Sequence, residues 1–300
     1  MASRTENDSL VLCNLGLKEV QTTYLQNNPP RFSKYTNIYR TDVQSTRIAV
    51  EGDFPFFTPI NQGTALEPTQ YSVPYVRDYT TFKYGRIFEW DGDMNYTDVY
   101  NRIQPQGKKL MKAGLNTYER VAASMFQLAN TSAIVTPDGV NLASTAHPTQ
   151  TGTYSNYASG NAFTTANLTI AVASVMQQPT YTGEPLDLQP PWNLLVPPGL
   201  ADVANRVIGS KLLQGGNAND YNEVGTNFNG TVTTGYFTNA TLWALVPARK
   251  DENPLNILEK RPLTMKAGQA DGRYDSNFIT CVFSIGVLPR DWRGTYFAGA

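Results

Sequence analysis

Apolar residues recur at alternating steps of four and three late in the first half of the chain, where Met111, Leu115, Tyr118, Ala122, Met125 and Ala129 share one helical face. Pro105 suits the first position of a helix, so the pattern predicts one long helix from Pro105 to about Asn130, in spite of Gly107 and Gly114. Its opposite side carries Lys109, Lys112, Asn116 and Arg120, with Lys108 near its start. Two shorter helices follow by the same spacing. Leu168, Ala171, Val172, Val175 and Met176 form one face behind a Thr165 cap and before Pro179; Leu200, Val203, Ala204, Val207 and Ile208 predict a helix over 200–213, ended by Gly215 and Gly216. The period changes to two near the end of the chain. Ile279, Cys281, Phe283, Ile285 and Val287 predict a strand over 277–288, and residues 192–196, 231–246 and 257–265 also read as β. Helices and strands alternate irregularly, which predicts an α+β fold over a doubly wound sheet.

The N-terminal third is patterned differently. A short helix over 15–25 is stopped by Pro29 and Pro30, so the first residues read as an arm. Residues 46–60 and 69–90 are β-leaning and studded with Pro55, Pro59, Pro68 and Pro74, which confine strands to an edge or an excursion. They predict a long hairpin bearing Phe54, Phe56, Phe57, Tyr71 and Tyr75. A lone two-stranded hairpin is marginal in water, so these rings need a cover, either the chain's own body or a neighbouring subunit.

Composition sharpens that need. Of the 300 residues 41% are apolar, enough for a large core, but only 16% are charged, against about 25% in ordinary soluble domains. Depletion of charge with abundant aromatics is what extensive subunit contact produces. With 24 Lys and Arg against 25 Asp and Glu, the chain has no broad basic surface for gripping nucleic acid, although a local patch remains open. Residues 1–10 carry Arg4, Glu6 and Asp8 where a secretory signal needs an apolar core, and no stretch has the length of a membrane span; the expectation is a protein that stays in a cytoplasm, with no membrane partner.

Candidate chemistry is sparse. Cys13 and Cys281 are far apart, suggest neither a disulfide framework nor a zinc site, and Cys281 reads as a buried thiol. Asp91-Gly92-Asp93-Met94-Asn95 opens like a calcium loop, but Tyr96 and Arg102 stand where Gly and Glu are needed, so it reads as a capping turn. His147 is the only histidine, and any triad must use it; its proximity to Ser144 and Thr145 in sequence does not make a nucleophile, and a ring packed beside Pro148 with one nitrogen satisfied is expected instead. No glycine-rich phosphate cradle is present in the sequence. No catalytic residue, metal or cofactor is expected. Lys108, Lys109 and Lys112 read either as a solvated helix face or as an interior face meeting DNA phosphates without reading bases.

Three segments then carry a resemblance: Asp-Gly-Val-Asn-Leu-Ala-Ser-Thr-Ala-His-Pro at 138–148, residues 188–200 with Leu-Leu-Val-Pro-Pro, and Asp-Trp-Arg-Gly-Thr-Tyr at 291–296. In that order the chain resembles tailed-phage major capsid proteins of the Mu-like major head subunit type. The resemblance implies an α+β fold of the Hong Kong 97 type (HK-97). It implies an N-terminal arm at 1–45, an extended loop hairpin at 46–90, a peripheral domain with a spine helix at 91–134 and 256–300, and an axial domain at 135–255. It further implies an icosahedral head shell around double-stranded DNA, built of pentamers and hexamers of this chain in the host cytoplasm. The implied partners are a scaffolding protein, here a separate chain, a portal and optionally a decoration protein. Two other readings stay open: an encapsulin-like compartment enclosing protein cargo, and a β-rich adhesin or glycan-binding module.

Overall fold

The computed structural model describes residues 29–52, 72–91, 104–210, 222–269 and 276–299, with isolated positions 22, 26, 54, 57, 59–61, 65, 66 and 68. The arm helix at 15–25, Cys13, Phe56, Tyr71 and the turn after Asp91 lie outside the described residues. In chain order the strands and helices are β1 (Asn37–Arg40), β2 (Ser45–Val50), β3 (Tyr75–Thr80), β4 (Phe82–Asp91), α1 (Gln104–Gln127), β5 (His147–Thr149), β6 (Gly152–Tyr154), β7 (Tyr157–Ala158), α2 (Thr165–Met176), β8 (Trp192–Leu195), α3 (Ala201–Gly209), β9 (Phe228–Val232), β10 (Trp243–Pro247), β11 (Leu255–Gln269), β12 (Ser276–Pro289) and β13 (Tyr296–Ala298).

Two sheets organise these elements. The first has the order β1-β11-β12-β4, with β1 parallel to β11 and the other pairings antiparallel. α1 lies on one face of it, where Met111, Tyr118, Ala122 and Met125 meet Leu263, Met265, Cys281, Phe283 and Ile285 in one core. Gly114 has a reason to interrupt the helical pattern: a Cβ there would come within 2.6 Å of a Leu263 methyl, so its absence lets helix and sheet approach closely. α1 ends at Gln127, slightly before the expected boundary, while Ala129 still packs in the core.

The second sheet has the order β7-β13-β10-β8-β9 and is covered by α2 and α3 through Leu168, Val172, Val175, Ala204 and Val207. The N-cap of α2 is Thr164, one residue before the expected Thr165, because its side chain is the one that accepts the Asn167 N–H. α3 is described to Gly209; the continuation expected over 211–213 lies outside the described residues.

Two expectations require correction. The β-leaning run at 69–90 is not one arm of a hairpin: it divides at Thr81, whose backbone N–H and hydroxyl both donate to the Gln44 carbonyl. Only β3 pairs with β2, from Ser45 opposite Thr80 to Val50 opposite Tyr75, whereas β4 joins the first sheet beside β12. Residues 256–300 likewise do not stay together. β13 crosses to the second sheet, pairing with β10 and β7, because Tyr296, Phe297 and Ala298 are all buried there and need cover on both faces.

The base of the β2–β3 hairpin rests on the first sheet, opposite α1. Ile48 and Tyr79 pack with Leu258 and Leu288, and a Cβ on Gly286 would strike the Thr80 carbonyl at 2.4 Å. The period-two pattern of β12 therefore fades after Phe283, where Ser284, Ile285, Gly286, Leu288 and Pro289 are buried from both sides.

The first described turn of chain, a 3-10 helix at Arg31–Lys34, is tied to α1 by Glu119, whose carboxylate accepts the Arg31 and Phe32 N–H groups. Burial raises the Glu119 carboxyl above its ordinary value, outweighing those hydrogen bonds and the charge of Arg31. A carboxyl raised in the folded state favours folding in its neutral form. Its contribution is present below the ordinary value of about 4.3 and lost as pH rises through the folded value. Glu119→Gln is expected to flatten the pH dependence of the urea midpoint in that window; an unchanged profile would show that Glu119 does not control it.

Candidate functional site

The connection between β2 and β3 is described at a few positions, and its large apolar residues there are exposed. Phe54 is 71% exposed, Phe57 100%, Leu66 77% and Ile60 51%, so the described part of the connection is an apolar surface. Arg47 and Asp78 face each other across the strands with two hydrogen bonds of 2.8 and 3.0 Å, an exposed pair that fixes register more than it adds stability. Tyr75 differs from the other aromatic residues singled out. Its hydroxyl donates to the Pro148 carbonyl at 3.2 Å and its ring meets Tyr181 edge-on, so it anchors the hairpin within its own chain.

A cleft of about 680 Å³ opens between α1 and β4. Its lining combines the apolar Tyr84, Leu110, Tyr236 and Phe283 with Arg86 and Arg120. Cys281 also lines it, with burial pushing the thiol up to about 11, which keeps it protonated and unreactive. Exposed Phe82 extends the apolar surface along the free edge of β4. Sequence reasoning had no access to this cleft, because its walls come from residues more than 100 positions apart.

Lys108, Lys109 and Lys112 are all exposed, as are Asn116 and Arg120 farther along α1. The structure thus presents a basic and polar helix stripe on the side away from the core.

Residues 138–148 are highly bonded, with Leu142, Ala143 and His147 buried and Gly139, Thr145 and Ala146 exposed. The turn at Gly139, with φ 84°, lets the Asp138 carboxylate accept from the Thr136 hydroxyl and, at 3.2 Å, from the Val140 N–H. His147 is fully buried, with Nδ1 2.7 Å from Asp138 Oδ2 and Nε2 3.1 Å from Asn156 Oδ1. The expectation of one satisfied nitrogen is therefore corrected to two. With its two nitrogens within hydrogen-bond distance of Asp138 and Asn156, the ring is engaged away from Ser144, whose hydroxyl accepts the Ala146 N–H at 3.2 Å. Among the described residues no group of three His, Cys, Asp or Glu side chains is placed to hold a metal. What the connector does chemically is bind its own chain: His147 stacks on Trp292 at 4.4 Å, and Asn156 donates to the Leu142 carbonyl and the Thr295 hydroxyl.

Residues 74–298 match a protein family described as phage capsid protein, spanning β3 to β13 and so both sheets. The chain belongs to the phage capsid protein family. No curated protein sequence matches it. Among solved structures it is similar to the virus-like particle from Pyrococcus furiosus, with 11% identity and a TM-score of 0.54 over 94% of this chain and 97% of that one. The capsid of cyanophage P-SCSP1u is similar at 13% identity and a TM-score of 0.54, covering 89% and 86%. A capsid of bacteriophage JBD30 decorated with minor capsid protein trimers gives 14% and 0.56, covering 70% and 92%. At such identities the likeness shows the fold alone: the chain adopts the α+β, HK-97-like capsid fold expected from its sequence. With the family match, this capsid protein is a shell subunit that self-assembles, and its place is the virion capsid. Membership displaces the adhesin or glycan-binding reading.

Proposed function

We propose that this chain is the major capsid protein of a tailed phage of the Mu-like head type, forming pentamers and hexamers of an icosahedral shell around double-stranded DNA. The observation that carries the reading is the family match across both sheets, joined to an exposed apolar hairpin that its own chain leaves uncovered. In this reading residues 1–45 are the arm, the extended loop is the β2–β3 excursion, α1 is the spine helix of a peripheral domain built on the first sheet, and the second sheet forms the axial domain. Phe54, Phe56 and Phe57, with Tyr71, supply contact to the adjacent subunit, while Tyr75 fixes the base from which they reach. Assembly takes place in the host cytoplasm, with a scaffolding protein, a portal and optionally a decoration protein as partners.

A shell of many such contacts tolerates modest individual affinities, since each engaged neighbour raises the effective concentration of the next contact. Negative-stain microscopy of the purified chain, followed by recovery of contents after nuclease treatment, tests the reading. Closed particles holding protected double-stranded DNA from infected cells support it; particles holding protein cargo instead would establish the encapsulin-like alternative.

Lys108, Lys109 and Lys112 are assigned to the interior, neutralising phosphates without base readout. Changing all three to Glu is expected to leave empty shells intact and lower the yield of packaged genome several-fold. Unchanged packaging in intact shells would place that stripe elsewhere.

A further inference from the structure

His147 sits where the number of protons can be counted from its partners. Asn156 Oδ1, 3.1 Å from Nε2, also accepts the Ser144 N–H at 2.9 Å, while Asn156 Nδ2 donates to the Leu142 carbonyl at 2.8 Å. Turning the amide over would set its NH2 against the Ser144 N–H and its oxygen against a carbonyl, so the orientation is fixed. Oδ1 can only accept, and Nε2 must carry a proton. On the other side, Nδ1 lies 2.7 Å from a carboxylate oxygen of Asp138, a distance that also demands a proton between them. A neutral imidazole supplies one proton and the site takes two.

A second ion pair lies beside this ring. Arg293, 8% exposed, holds Asp291 through Nη1 at 3.0 Å and donates from Nε to the Pro179 carbonyl at 2.8 Å. Its guanidinium lies 5.0 Å from the centre of the Trp292 ring, the same indole on which His147 stacks, and cations over an indole face are attracted to it. Arg77 acts on Tyr79 from β3, and the other titratable groups facing the cluster among the described residues are phenols. Tyr154 stacks on Trp292, and Tyr75 and Tyr79 reach in from β3, both raised above the ordinary phenol range by burial and therefore neutral. These two phenols connect the cluster to the hairpin. Tyr75 donates to the carbonyl of Pro148, next to His147, while Tyr79 bonds the carbonyls of Val135 and Pro289, just before Asp138 and Asp291 in the chain.

We propose that His147 is an imidazolium and that Asp138, His147, Trp292, Arg293 and Asp291 form a charge-balanced, pH-sensitive clamp holding the base of the β2–β3 hairpin. The acid limit follows from Asp138. Burial pulls its carboxyl up, but hydrogen bonds from His147 and Thr136 and the charge of His147 outweigh burial and hold it below the usual range. Its contribution is complete above about 3.9 and is lost as pH falls through the lower folded value. The clamp rests on bonds inside one chain, so it stands or falls separately from the contact proposed for the hairpin tip.

A single histidine makes the test direct. With 15N-histidine in assembled full-length particles at neutral pH, solid-state NMR should show a directly bonded proton on both ring nitrogens; one bare nitrogen overturns the proposal. In Asp138→Asn, amide exchange across 45–50 and 75–80 should quicken roughly tenfold while β11 and β12 keep their protection. Equal protection in variant and unaltered protein overturns the clamp on the hairpin. Should Asp138→Asn fail to fold, the unaltered chain is followed as pH is lowered: the hairpin amides should lose protection before those of β11 and β12, and simultaneous loss overturns the proposal.

Discussion

Replacing Trp292 by alanine is expected to cost about 3–5 kcal/mol of subunit stability, the range for removing a large aromatic ring from a packed interior. The indole is 2% exposed and belongs to the core that joins α1 to the first sheet. It also stacks on His147 at 4.4 Å and on Tyr154 at 5.8 Å, so its loss opens a cavity beside the hydrogen-bonded His147 and Asp138 as well as removing apolar contact. Against a typical total of about 5–15 kcal/mol, a loss of that size leaves a marginal subunit. Urea unfolding of the unassembled chain gives the measurement. Trp292→Phe, which keeps an aromatic face for His147, should recover a substantial part of the loss. A cost below about 1 kcal/mol for alanine would mean that the site collapses onto the gap, contrary to the packing described.

Deleting residues 54–72 and joining the ends by a short Gly-Ser linker is expected to leave the subunit folded and to abolish closed shells. The deletion spares every β2–β3 pair, from Ser45 opposite Thr80 to Val50 opposite Tyr75, and it spares the Tyr75 bond to Pro148. It removes Phe54, Phe57, Ile60 and Leu66, all exposed and none contributing to a described core. Thermal unfolding should therefore change little, whereas particles should vanish from sedimentation profiles and micrographs. Normal shells from the deletion would remove the hairpin from assembly altogether.

The parts of this structure that could be read from sequence are those whose cause is local. α1 was legible because six apolar residues at helical spacing needed a single wall, and that wall is the first sheet. The β12 strand was legible from Ile279 to Ile285, where one face meets α1. It ceased to be so where the hairpin base covers the other face, since a strand buried on both sides loses its alternation. The split at Thr81 depends on Gln44, and the destination of β13 depends on β10 and β7, partners that no short window contains. His147 shows the limit most sharply. Its isolation in sequence argued correctly against a triad, but its stacking partner Trp292 and the lock on Asn156 by Thr295 come from the far end of the chain. The exposed aromatic residues at Phe54 and Phe57 were found by their lack of an obvious cover, while Tyr75 was grouped with them because its link to Pro148 is invisible without the fold.

The pairing of β1 with β11 carries a consequence for the order of events in the cell. Asn37 aligns with Asn256, and the second sheet waits for Tyr296 to Ala298 to pair with β10. The first sheet waits for β12 and the second for β13 to leave the ribosome, and contacts so distant along the chain are slow to form. A chain that stops before Ser276 has neither β12 nor β13 and leaves both sheets unfinished, so a truncated copy cannot present the surfaces from which a shell is built.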